Sequence, residues 1–134
     1  MILSYTNYKK ENTPLFINKD LLSKYKEKGD ICLVNIKREL TRSLVDYKLF
    51  QKLQQVNNDF FVIVDYLDSE HYTNLKEIID DRTKLLNDIN VFTRHCKSNV
   101  SPDIYENIFE DCNKLMITIH KLVEIVKTIN KGDY

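Results

Sequence analysis

Asp65, Asp68 and His71 stand three residues apart. On one continuous helix that spacing puts the three side chains on a shared face. A carboxylate three residues before a histidine is also the ligand pair that helical bundles use to hold two metal ions. Such a centre needs the pair from two helices and two further carboxylates. This chain has one copy, with Asp rather than Glu. Asp65, Asp68 and His71 are therefore the metal candidates. The plainer reading is a solvated acidic turn, because positions 57–81 hold seven acidic residues against Lys76 alone.

Other nucleophiles and bases do not converge. His71 and His95 bracket the third helical segment, which is about 37 Å long if helical throughout, so they belong at opposite ends of a bundle. His120 flanks an apolar seam. Cys96 follows His95 directly, and neighbouring side chains on a helix diverge, which leaves no cysteine–base pair. Cys112 falls in a seam and reads as a small core residue. Cys32, Cys96 and Cys112 are odd in number and lack CxxC spacing, which points to reduced thiols in a cytoplasmic setting. No catalytic residue, cofactor or cofactor-binding residue is assigned.

Basic residues crowd the first half. Positions 1–56 carry a net charge of +5, with tyrosines interleaved. Lys24, Lys26, Lys28, Lys37, Arg38 and Arg42 are the candidates for nucleic-acid contact, since cations beside aromatics can hold phosphates and stack bases. The whole chain has 20 basic and 20 acidic residues, a balance that disfavours a dedicated nucleic-acid binder. Glycine-rich phosphate loops are excluded outright, because the only glycines are Gly29 and Gly132.

The elements that must position these residues follow from periodicity and caps. The 134 residues are the size of one domain, and 43% are hydrophobic. Residues 1–17 read as an irregular arm. Asn18 caps a short helix over 18–29, closed by Gly29 as its C-terminal stop. A long helix, kinked at most, covers 30–67, with Asp30 as its cap. Its apolar stripe is Leu33, Ile36, Leu40, Leu44, Tyr47, Phe50 and Leu53, at steps of three and four. The run Phe60-Phe61-Val62-Ile63-Val64 would also suit a strand, but it has no partner of equal quality and is assigned to helix. Thr73 or Asn74 caps a helix over 73–97. Ser101 and Pro102 open a helix over 101–131, with a four–three seam of Ile108, Cys112, Leu115, Ile119, Leu122, Val126 and Ile129.

The expected fold is a single all-α domain: an antiparallel, up-and-down helical bundle of three long helices, a short N-terminal helix and an irregular arm. No stretch is apolar enough to span a membrane, and the start of the chain lacks a signal-peptide core. The chain contains no Ala, few Gly and Pro, and abundant Ile and Asn. That is the coding bias of an AT-rich genome and suits an accessory protein of a virus, phage or mobile element. The expected function is non-enzymatic: protein–protein interaction or regulation through helix surfaces, with a homo-oligomer as one form it can take. Nucleic-acid binding by the basic half and a metal-dependent bundle enzyme are the alternatives.

Overall fold

Among the described residues, every helix starts at a side chain that accepts a free N–H of the first turn. Asn18 accepts from Leu21 at 3.1 Å, Asp46 from Lys48 at 3.3 Å, Asn74 from Glu77 at 3.0 Å and Ser101 from Ile104 at 3.4 Å. Such caps satisfy donors that a helix leaves unpaired. The computed structural model describes residues 15–128. Strand β1 (Leu15–Ile17) leads into α1 (Lys19–Arg42), α2 (Tyr47–Asp68), α3 (Leu75–Asn99), α4 (Pro102–Glu124) and strand β2 (Val126–Thr128).

Links as short as 43–46, 69–74 and 100–101 make successive helices antiparallel neighbours. The four close into a ring in which α1 meets α4 most broadly, followed by α2 with α3. The seam between α1 and α2 is the thinnest of the four. At the end where α1 starts and α2 stops, Lys19 pairs with Asp68 and β1 lies antiparallel to β2, with Phe16 opposite Lys127.

Apolar stripes at three- and four-residue steps build the core. Ile36 and Leu40 come from α1, Val56, Phe60, Ile63 and Leu67 from α2, Ile78, Leu85, Ile89 and Phe92 from α3, and Ile108, Leu115, Ile119 and Leu122 from α4. Burying each such side chain contributes roughly 1.5–3 kcal/mol, which outweighs the modest helix propensity of an alanine-free sequence. Among the described residues, no helix is long and apolar enough to cross a membrane.

Several boundaries differ from the sequence expectation. The short helix 18–29 and the first part of the long helix are one element, α1, which runs straight through Gly29 and Asp30. Gly29 serves packing rather than termination, because the ring of Phe60 lies against it. The expected continuous helix 30–67 breaks at 43–46. Leu44 adopts a left-handed conformation with φ 53°, which reverses the chain without a glycine, and Asp46 restarts it. Leu44 and Tyr47 therefore leave the core stripe and stand exposed. The run 60–64 is helical within α2.

Asn74 is the cap of α3, which extends to Asn99. Helix α4 stops at Glu124 rather than 131 because Val126–Thr128 pairs with Leu15–Ile17, both β-branched or aromatic segments suited to a ladder. The seam Ile108–Leu122 is buried, and Val126 is buried in β2. Residues 1–14 of the expected arm, and Ile129 with the expected helix end to 131, lie outside the described residues.

Candidate functional site

The α1–α2 seam is closed at one level and open at another. Where Gly29 meets Phe60 the two helices are in direct contact. Toward the 43–46 turn they leave a groove of about 700 Å³, a volume within the range of ligand and peptide clefts. Leu33, Phe50 and Leu53 give it an apolar floor, and Asp30, Lys37, Gln51, Gln54 and Asn57 supply polar edges. The spacing on α1 (30, 33, 34, 37) is one helical face.

Large apolar side chains stay in solvent on this side of the molecule. Val34 is 59% exposed and Tyr47 71%, and both line the groove. Phe61 is 60% exposed and continues the groove-facing row of α2 from Gln54 and Asn57 at helical spacing. Leu44, in the turn at the open end, is 95% exposed. The sequence stripe had assigned Leu44 and Tyr47 to the core. The signal that would have separated them is Asp46, a capping residue one position before Tyr47.

The metal candidates are placed apart from one another in role. Helix α2 ends at Asp68, and Glu70 takes φ 56°, so His71 lies off the helix that carries Asp65. The Asp68 carboxylate faces Lys19 at 3.6 Å, and the imidazole of His71 packs on the Tyr66 ring at 4.3 Å between centroids. Among the described residues, no group of three or more His, Cys, Asp or Glu side chains is placed to hold a metal ion. The adjoining turn is tied down by Tyr72, whose hydroxyl donates to Asp81 at 2.7 Å. Burial, then that hydrogen bond, pushes the phenol well above its ordinary value.

The six basic candidates all sit on α1, four on one side of it and two on the other. A helix turns about 100° per residue, so Lys24, Lys28, Arg38 and Arg42 share one side, within about 80° of one another, and Lys26 and Lys37 lie on the opposite side. Lys26 pairs with Asp30 at 3.0 Å and Arg42 with Glu39 at 3.2 Å. Lys37 lines the groove.

A polar cluster on the α2–α3 seam was not anticipated. Asp59, 8% exposed, accepts from Gln55 at 3.0 Å and from Lys84 at 3.1 Å, both through Oδ1. Asp59 sits well inside α2. Its spacing of three from Val56 and four from Ile63, with Asp81, Lys84 and Asp88 at steps of three and four, was the available signal for a charged helix–helix contact.

Comparison with known protein families, with curated proteins and with solved structures finds no match to this chain.

Proposed function

We propose that this chain is a non-enzymatic protein-interaction module and that the open α1–α2 groove is its contact face. The observation that carries this reading is the concentration of exposed apolar side chains there: Val34 and Tyr47 at the groove, Leu44 at its open end and Phe61 beside it. Exposed apolar surface rimmed by polar residues is a mark of interaction sites. A groove between two helices accepts the apolar face of a third, read through anchors one turn apart. Leu44 adds to the reading, because an exposed leucine held in a left-handed conformation costs stability and gains no packing.

Lysine at positions 34 and 47 tests it. Both side chains are exposed, so Val34→Lys and Tyr47→Lys keep the helical circular-dichroism spectrum of the parent. In pull-downs from the source cell, a protein retained by the parent and lost by both variants supports the groove. An unchanged set of retained proteins overturns it. Light scattering on the same samples reports whether the occupant is a second copy of the chain.

A further inference from the structure

We propose that a second copy of this chain packs antiparallel on the outer face of α1, with Glu27 of each copy meeting Arg38 of the other on either side of Ile31 and Val34. Val34 also lines the groove, so this assignment rests on the contact-face reading above and names the occupant of that face.

Glu27, Ile31, Val34 and Arg38 stand at steps of four, three and four on α1. At about 100° per residue they lie within about 60° of one another. They face away from the buried row of Leu22, Leu33, Ile36 and Leu40. Ile31 is 54% exposed and Val34 59%. Glu27 and Arg38 are exposed as well. Among the described residues neither forms an ion pair, whereas the nearby charges Lys26 and Asp30, and Glu39 and Arg42, pair with each other.

The row has the same spacing read from either end, and only the sign of the charge differs. A twofold contact between identical chains asks for that arrangement, because residue i meets j while j meets i. Turning the row end for end sets 27 opposite 38 and 31 opposite 34, each pair being equally far from the midpoint. Both ends then bring an acid to a base, and four aliphatic side chains meet at the centre. A parallel arrangement would set Glu27 on Glu27 and Arg38 on Arg38, and like charges in an interface repel. The charge pattern therefore selects both the partner and its direction. Lys24, Lys28 and Arg42 border the face on the side away from the groove, where long stems carry their charges into water. The whole chain has 20 basic and 20 acidic residues, so no net repulsion keeps two copies apart.

Sedimentation velocity on the full chain, from about 1 μM to about 1 mM, tests the contact over the range of weak interfaces. The parent should pass from monomer to dimer as concentration rises. Glu27→Arg and Arg38→Glu alter exposed helix positions with good helix formers, so both keep the parent's circular-dichroism spectrum. Each alone sets like charges against each other and should weaken self-association by roughly tenfold or more. Mixing the two variants in equal amounts restores both acid–base pairs, as does carrying both substitutions in one chain, and dimer should return in each case. A dimer that ignores the single substitutions, or one that neither mixing nor the double substitution restores, overturns the proposal. A parent that stays monomeric throughout overturns it too, and leaves the contact-face reading to be decided by the pull-downs with Val34→Lys and Tyr47→Lys.

Discussion

Gly29 on α1 and Phe60 on α2 meet so closely that a Cβ on residue 29 would lie 2.2 Å from Phe60 Cζ and 2.8 Å from each Cε. Phe60 is buried and its ring is rigid, so a side chain at 29 cannot be accommodated by a simple rotamer change. This contact fixes how close α1 and α2 come, and the groove begins beyond it.

The first prediction is that Gly29→Ala destabilises the protein. Alanine is favoured over glycine inside a helix by about 1 kcal/mol, but overpacking a core costs about 1–3 kcal/mol. At 2.2 Å the clash dominates, and a net loss of about 1–2 kcal/mol is expected from urea unfolding. Adding Phe60→Leu should cost less in the Gly29→Ala background than alone, because contacting sites couple. A Gly29→Ala protein more stable than its parent would show that the ring can move aside.

The same pair explains what the sequence could and could not reveal. Helix content was legible because Leu33, Ile36 and Leu40, or Ile108, Leu115 and Ile119, repeat at helical steps, and because Ser101-Pro102 marks a start. Gly29 was misread because a glycine before an aspartate looks like a helix end, whereas its real constraint is Phe60, thirty-one positions away. The 43–46 turn was hidden because Leu44 takes a conformation that ordinarily announces itself as glycine. The groove depends on both, so it could not be located before the helices were placed. The Asp59–Lys84 ion pair joins two helices and leaves only a flank-position pattern on each.

The second prediction concerns the start of α3. Glu77 reaches back to accept the backbone N–H of Thr73 at 2.8 Å and its hydroxyl at 2.9 Å, while Asn74 accepts from Glu77. These bonds hold the Glu77 carboxyl below its ordinary 4.5. A lowered acid contributes stability that is present above the unfolded value and lost as pH falls through the folded one. Glu77→Gln should therefore be less stable than the parent at neutral pH, by roughly half a kcal/mol after solvent screening. The difference should vanish in acid. Equal stability of the two proteins at pH 7 would count against this role.

The third prediction is that the native thiols are inert. Cys32, Cys96 and Cys112 are buried and free. Burial pushes Cys96 and Cys112 up to about 12 and raises Cys32 as well. Only the thiolate attacks a disulfide reagent, so at about pH 8 labelling must wait for the bundle to open. Ellman's reagent should react orders of magnitude more slowly with native protein than with protein in denaturant, where all three thiols respond. Fast native labelling of even one thiol would contradict the buried placement.

The last prediction separates stability from binding at one residue. Leu44 holds φ 53° with its side chain 95% exposed. The left-handed conformation costs a non-glycine residue roughly 1–2 kcal/mol, and the exposed side chain recovers none of it through packing. Glycine removes that strain but adds unfolded-state entropy of about 0.5–1 kcal/mol. Leu44→Gly should therefore stabilise the chain by about 0.5–1 kcal/mol, a melting-point rise of roughly 2–4 °C at this size. If the groove and its turn are the contact face, the same substitution weakens partner capture while the fold becomes firmer. A variant that melts lower than the parent would mean that Leu44 packs against something in the folded chain. A firmer variant with undiminished capture would remove Leu44 from the contact face and leave Val34 and Tyr47 to carry it.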